Sequence, residues 1–314
     1  MKAHPLITIV IPAYNYGYCI HNALESIREQ QDPHLETIVI DDGSKDHTAD
    51  VIRSFQMTNP SFHLLYQYQE NKGAGSARNA GVKLASGEYI LMLDADDYLL
   101  PNSLASFRRA IRQYPEARVI MGGHMSRGQQ GIIKKYPFKK KLTHSHMTNF
   151  LYYLRKKISL IPGAILYRKN VFSLISYPET IKNAEDQSVF CQILATQTCV
   201  SIEELVVMQN KHSDSLRHHF AFHQNAGLDI VDLVFDKKII PKEFFKYRKE
   251  YMSLRYLSLA RIAFQHKAMT DVINYYEQAI KVFPRHLLKV NYFKKYIIAR
   301  FLKNIVMPAK RMLT

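Results

Sequence analysis

Three carboxylates, Asp94, Asp96 and Asp97, crowd into four positions directly after the apolar run Tyr89-Ile-Leu-Met-Leu93. Carboxylates that close repel one another unless a cation sits among them, and an all-oxygen set suits Mg2+ or Mn2+ rather than zinc. An acidic turn or a helix start would carry the same residues, so this stretch alone leaves both readings open. A second acidic pair, Asp41-Asp42, follows the run Glu36-Thr-Ile-Val-Ile40. A third, Glu185-Asp186, precedes a helical apolar pattern at Val189, Phe190, Ile193 and Leu194. A carboxylate fixed at a helix start beside a metal site can serve as a general base, and it also complements the helix dipole. Between the acidic groups lies the stretch NKGAGSARNAG, residues 71–81. Gly73 and Gly75 would let backbone amides approach a phosphate, Ser76 and a helix N-terminus would add donors, and Lys72 and Arg78 would supply counter-charge. A tight loop also needs glycine for steric reasons, and neither the GxGxxG nor the GxxxxGK[ST] spacing is present. His212 has the chemistry of a metal ligand or a phosphate donor.

These groups need a scaffold that brings loop ends together. Residues 7–11, 36–40, 63–66 and 89–93 read as strands, and residues 20–30, 48–55 and 101–114 as helices, with a helix beginning inside 71–81. Alternation of this kind predicts a mostly parallel sheet with right-handed crossovers, in which ligands bind beyond the carboxyl ends of the strands. Further on, residues 117–122 predict a strand, 127–141 an exposed basic loop or hairpin, and 147–157 a helix. Residues 158–168 predict a strand-like element bent at Pro162-Gly163, and 204–208 another strand.

The chain has 314 residues, of which 47% are hydrophobic, enough for a full core plus an appendage. No window offers the eighteen apolar residues of a membrane span, and the N-terminus runs straight into a strand pattern, so the chain reads as cytoplasmic. Its three cysteines, Cys19, Cys191 and Cys199, lie in no CxxC pair or zinc spacing and read as reduced core residues. Charge is uneven: residues 237–314 hold 18 Lys+Arg against 4 Asp+Glu, which is +14 of the formal +16. A segment that basic seeks an anionic partner such as a phospholipid surface, a phosphorylated glycan or nucleic acid. No stacking platform or recognition-helix pattern accompanies the charge, which disfavours nucleic acid.

From residue 225 onward the pattern is helical. Tyr256, Leu259, Ala260, Ala263, Val272, Tyr276, Ala279 and Pro284 fall at the offsets of one tetratricopeptide-type hairpin, too few units for a concave array. The last helix, from Leu288, interleaves Lys289, Lys294, Lys295, Arg300 and Lys303 with Tyr292, Phe293, Ile297, Ile298, Phe301 and Leu302. That make-up fits an interfacial basic helix, and equally a packed helix with a solvated basic back or a subunit contact in a homo-oligomer.

Taken in order, IVIPAYNYG, VIDDGS, NKGAGSARNAGV, LDADD and AEDQSVF resemble the family 2 glycosyltransferases over residues 7–217. The resemblance implies the GT-A fold, a Rossmann-like α/β sheet flanked by helices, over residues 1–222, with an all-helical C-terminal region over 223–314. It implies inverting transfer from a nucleotide-sugar, most readily UDP-linked, with Mn2+ or Mg2+. Carried onto this sequence, Pro12, Ala13, Tyr14 and Asn15 would line the nucleotide pocket, and Asp42 would accept the N3 hydrogen of uracil. Lys72, Gly75 and Arg78 would face the diphosphate or sugar. Asp94, Ala95 and Asp96 would form the DxD motif, with metal at Asp96, Asp94 and His212. Asp186 would be the catalytic base, with Glu185 beside it. The implied acceptor is a bacterial surface glycan such as lipopolysaccharide, capsule or teichoic acid, met at the inner face of the cytoplasmic membrane. No QxxRW motif of processive synthases is present, which favours single additions. A nucleotidyltransferase would carry a basic GxGxRxxP-like loop where this chain has PAYNYG. Transfer to a polyprenyl phosphate would need no base, and an inactive scaffold would have no use for intact acidic positions.

Overall fold

The computed structural model describes residues 6–138, 141–181, 184–211 and 227–311, with side chains as far as Lys303. The chain divides into two compact units, residues 1–213 and 214–314. The boundary expected at 222/223 lies outside the described residues.

The first unit begins with β1 (Ile7–Ala13), α1 (Ile20–Arg28), β2 (Leu35–Asp41), α2 (Thr48–Thr58), β3 (Leu64–Tyr68), α3 (Ala74–Leu84) and β4 (Tyr89–Met92). There follow β5 (Tyr98–Leu99), α4 (Ser103–Gln113), β6 (Val119–Arg127), β7 (Ile133–Tyr136) and α5 (His146–Leu154). The unit ends with β8 (Ile165–Arg168), α6 (Glu185–Thr196) and β9 (Cys199–Asn210). Every residue of β1 and β4 is buried, as expected for strands covered on both faces. Among the described residues all nine strands join one sheet of order β3-β2-β1-β4-β8-β6-β9-β5, with β7 pairing β6. Strands β1 to β4 are mutually parallel; β8 is antiparallel to both β4 and β6, so β6 and its parallel partner β9 point the same way as β1. Six of the nine strands therefore share one direction, and the expected α/β architecture holds. The chain leaves β1 toward β2 and β3, then returns to place β4 on β1's other side, which makes the carboxyl ends of β1 and β4 a topological switch point.

Local departures from the sequence reading have physical causes. Within the basic stretch at 127–141, Ile133–Tyr136 pairs with the end of β6 as a hairpin. Pro162-Gly163 makes a 3-10 turn, leaving only Ile165–Arg168 as strand. Strand β9 starts at Cys199 rather than 204, because Glu203 and Glu204 sit on a wet rim, where Glu204 pairs with Arg109 and masks the apolar pattern. The two-residue β5 is too short for any periodicity.

The second unit holds α7 (Asp229–Val234), α8 (Arg248–Gln265), α9 (Met269–Val282) and α10 (Val290–Arg311). Helices α8 and α9, joined by three residues, pack on each other as a helical hairpin. Leu259, Ala260 and Ala263 are buried, as are Val272, Tyr276 and Ala279. Ser253 Oγ donates to the Ala279 carbonyl at 2.7 Å and lies 2.7 Å from His286 Nδ1. Ala299 of α10 is fully buried in the cluster with Ala263 and Val272, and Tyr296 stacks on Tyr276 at 4.6 Å.

Candidate active site

The functional groups gather where β1, β2 and β4 end. After β1 the chain turns at Asn15, whose φ of 58° suits asparagine. Asn15 locks this turn to the β2 loop: its N–H donates to Ser44 Oγ (2.9 Å) and its Oδ1 accepts from Lys45 N (2.8 Å). Gly17 N adds a bond to Asp46 Oδ2 at 3.0 Å. Tyr14 is 43% exposed at the mouth of this cradle. Pro12 and Ala13, expected to line a pocket, are instead buried within β1, where the Ala13 carbonyl accepts from Asp42 N at 2.8 Å; they shape the cradle through backbone alone.

Asp42 is buried and nearly saturated. Its Oδ1 accepts from Gln69 Nε2 (2.7 Å) and Lys72 N (2.9 Å), and its Oδ2 from Gly73 N (2.7 Å). A carboxylate offers about four acceptor positions, so one is left, on Oδ2. Lys72 contributes its amide here while its side chain is exposed. Gly73, at φ 94°, has open space where a Cβ would stand, whereas a Cβ on Gly75 would sit 2.5 Å from the Pro178 carbonyl. The missing side chain of Gly75 thus serves close packing of the 177–178 segment on α3, and Gly73 is the glycine open to a ligand.

Arg78 is the hub. It is buried, donates to Asp94 Oδ1 (2.8 Å) and Glu185 Oε1 (2.5 Å), and lies over the Tyr177 ring at 5.2 Å. Burial opposes its charge, but Asp94 and Glu185 outweigh that and hold the guanidinium firmly protonated. Its charge, expected to face a diphosphate, is thus shared between two carboxylates from different loops, which it binds in register. Tyr177 is fixed in turn by Asn79, whose Oδ1 accepts from Tyr177 N (3.0 Å) and whose Nδ2 donates to the Tyr177 carbonyl (2.9 Å).

Beyond β4 the chain alternates: Asp94 and Asp96 are half-buried at the edge, while Ala95 and Asp97 turn inward. Ala95, expected among the donor-binding residues, packs in the core. Asp97 Oδ1 accepts from Asn210 N (2.9 Å), and Asn210 Nδ2 donates to the Asp96 carbonyl (2.7 Å), so β9 fixes the acidic turn. Among the described residues, Asp94, Asp96 and Asp97 are the one group whose ligand atoms gather within 4.8 Å as a metal site requires. Three hard anionic oxygens in that space fit Mg2+ or Mn2+. Tyr16 stands nearby: burial, then Asp96 and Asp94, push its hydroxyl well above its usual range and keep it a donor. The same influences, burial first and Asp96 next, push the Cys19 thiol up to about 12, so it stays protonated. His212 lies outside the described residues.

Asp186 sits in the first turn of α6, entered through Ala184 at φ 66°. Burial, Glu185 and Asp94 push its carboxyl up to about 7, against the pull of Arg78. A half-buried carboxyl poised near neutrality beside a cluster of hard oxygen ligands is equipped to take a proton from an incoming group. Sequence reasoning missed Tyr16 and Asn79, which sit inside IVIPAYNYG and NKGAGSARNAGV without a role assigned to them, and Tyr177 and Asn210, which lie in no recognisable motif.

Comparison with known proteins agrees with this geometry. Residues 8–175, more than half of the chain, match the profile described as Glycosyl transferase family 2. The glycosyltransferase GlyG of Streptococcus pneumoniae is 25% identical over 247 residues, 74% of this chain and 79% of its own. Among solved structures, S. aureus TarS 1-349 in complex with UDP-GlcNAc superposes with a TM-score of 0.59 at 19% identity, covering 89% of this chain and 92% of that one. The mannosyltransferase PcManGT from Pyrobaculum calidifontis, in complex with GDP-Man and Mn2+, gives a TM-score of 0.58 at 19% identity, covering 97% and 88%. At that identity the two structures speak for the fold. With the profile spanning the switch-point loops just described, the chain belongs to the family 2 glycosyltransferases.

Proposed function

We propose that this enzyme transfers a sugar, with inversion, from a UDP-sugar to a hydroxyl of a bacterial surface glycan such as lipopolysaccharide, capsule or teichoic acid, in the presence of Mn2+ or Mg2+. The observation that carries the reading is the convergence of Asp94 and Glu185 on Arg78, which sets the Asp186 carboxyl beside the acidic turn. In this reading the acceptor O–H proton passes to Asp186 as the acceptor oxygen bonds to the anomeric carbon. The bond from that carbon to the diphosphate oxygen breaks with its electron pair, and a single displacement from the opposite face inverts the centre. Asp94 and Asp96 would hold the divalent cation, which when bound would offset the charge developing on the leaving diphosphate. Tyr16 would donate at the same place. Arg78 keeps the two carboxylate-bearing loops in register rather than meeting phosphate alone. Gly73 and the start of α3 would approach the diphosphate. The acceptor position left on Asp42 Oδ2 suits the N3–H of uracil, and the exposed Tyr14 ring suits the face of a base.

The fold likeness to proteins holding UDP-GlcNAc and GDP-Man with Mn2+ supports a nucleotide-sugar donor and a divalent metal, and the basic second unit supports an anionic acceptor at the inner membrane face. A base poised near neutrality would be idle in transfer to an already ionised polyprenyl phosphate, which favours a hydroxyl acceptor. A thermal-shift panel of UDP-, GDP-, dTDP- and CMP-sugars with and without Mn2+ tests the donor. The largest stabilisation is expected from a UDP-sugar with Mn2+; an equal response to all four, or one unmoved by chelator, would contradict the assignment.

A further inference from the structure

Helix α10 has two apolar sides. One is used: Ala299 is fully buried and Tyr296 packs on Tyr276, so this side docks on the α8–α9 hairpin. The side opposite Ala299 should then be charged, as on an ordinary surface helix. Instead Val290, Ile297 and Phe301 line up along it, exposed by 59%, 48% and 65%, with the 41% exposed Phe293 at the edge of the row, where its ring also meets Tyr276 at 6.3 Å. Ile298 on its flank is 45% exposed, and Leu288, just before the helix, 82%. Scattered exposed apolar side chains are ordinary, but a continuous row on the outward face of a docked helix is not.

The charge around the row identifies what covers it. From Lys281 to Arg311 the chain holds nine Lys+Arg and no Asp or Glu. Lys294 lies within the outward sector, and Lys289 and Arg300 border it. A second copy of this chain would bring an identical, wholly basic row against the first, since a two-fold interface sets each patch against itself, and like charges would oppose the contact. An acidic protein would satisfy the cations but would cover the apolar row only with a groove cut to this one helix. A bilayer with anionic headgroups does both. No described helix is long and apolar enough to cross a membrane, so the contact is one of lying on the surface.

We propose that the outward face of α10, from Leu288 to Phe301, seats on an anionic lipid bilayer, with Val290, Phe293, Ile297 and Phe301 in the acyl boundary and Lys289, Lys294 and Arg300 at the headgroups. This rests on the second unit alone and holds whether or not the proposed donor and acceptor are right.

Flotation of the full chain with vesicles of phosphatidylglycerol and phosphatidylcholine, against phosphatidylcholine alone, tests it. At least tenfold more protein is expected on the anionic vesicles at low salt. The variant I297S/F301S, which leaves Phe293 and its contact with Tyr276 in place and should keep its melting curve, is expected to lose that binding at least tenfold. K289E/K294E is expected to lose the preference for anionic vesicles. UDP-sugar hydrolysis in solution, a property of the first unit, should stay as in the wild type for both, so failure of the lipid contact and failure of the transferase reading are read separately. Wild-type protein that stays off anionic vesicles overturns the proposal, as does a serine variant that still floats. Sedimentation showing a wild-type dimer that the serine variant splits, without vesicle binding, would reassign the row to self-association and overturn it as well.

Discussion

The same three strands, β1, β2 and β4, meet carboxylates at both of their ends, and the two ends treat them oppositely. At the amino end Glu36 is buried with its donors supplied: Oε2 accepts from Thr8 Oγ1 (2.5 Å) and Ser86 N (2.9 Å), and Oε1 from Ser86 Oγ (2.5 Å). Thr8 Oγ1 in turn accepts from Gly87 N at 2.9 Å. Burial alone would raise this carboxyl, yet the hydrogen bonds from Ser86 and Thr8 prevail and hold it below its ordinary range. At the carboxyl end Asp94 and Glu185 share the Arg78 guanidinium, Asp96 and Asp97 gather beside Asp94, and Asp186 is pushed upward. One end spends its polar contacts on holding the strand starts together; the other keeps an excess of negative charge that a cation and a proton would relieve. The difference separates a carboxylate whose bonds are all met within the fold from carboxylates that, in the proposed reaction, meet a cation and a proton.

Substitutions sharpen this contrast. Asp186→Asn is expected to lower kcat by about 10³-fold, the scale of a lost general base, while nucleotide binding stays within twofold; steady-state kinetics beside calorimetry checks both, and near-normal turnover would remove the base. Glu36→Ala strands Thr8 and Ser86 donors in the core and should cost about 2–3 kcal/mol in urea unfolding, with activity per folded molecule unchanged. A loss of kcat there instead would erase the distinction between the ends. Asn79→Ala frees the Tyr177 backbone beneath Arg78 and should cost about tenfold in kcat, or about 1–2 kcal/mol, with a displaced pH midpoint that a purely structural loss would leave in place.

The pH dependence follows from Asp186. A base must be ionised, so log kcat/KM should climb with unit slope below the Asp186 midpoint and level above it; that midpoint is raised toward about 7 without metal, and a divalent cation at Asp94 would draw it lower. Because its folded value lies above the unfolded one of about 3.9, the proton it retains stabilises the fold at low pH, and that contribution fades as pH rises to about 7. In the absence of metal, Asp186→Asn should therefore raise the melting temperature at pH 8 and leave it nearly unchanged at pH 4. An equal shift at both pH values would contradict the raised carboxyl.

Much of the scaffold was legible because its signals are short: apolar runs of four or five residues ending in Asp41-Asp42 or Asp94, and helical spacing between them. The acidic motifs were legible for the same reason. What tunes them was not. Arg78 reads locally as a counter-charge for phosphate, but its partner Glu185 lies 107 positions away. Asn79 grips Tyr177 across 98 positions, and Asn210 reaches the Asp96 carbonyl across 114. Such pairs depend on how the sheet curls, and no periodicity records them. Ala13 and Ala95 show the converse: each sits inside a recognisable motif, yet its side chain packs in the core. The outward row on α10 was visible as composition, but which side was already occupied required the position of Ala299 against the hairpin.

The central claim is that Asp96 holds a cation needed for the donor while Asp186 serves only the chemical step. Calorimetric titration of a UDP-sugar in Mn2+ into wild type, Asp96→Ala and Asp186→Asn tests it in one experiment. Binding is expected in wild type and Asp186→Asn and at least tenfold weaker in Asp96→Ala. Equal affinity in all three, or loss of binding at Asp186→Asn alone, would contradict it.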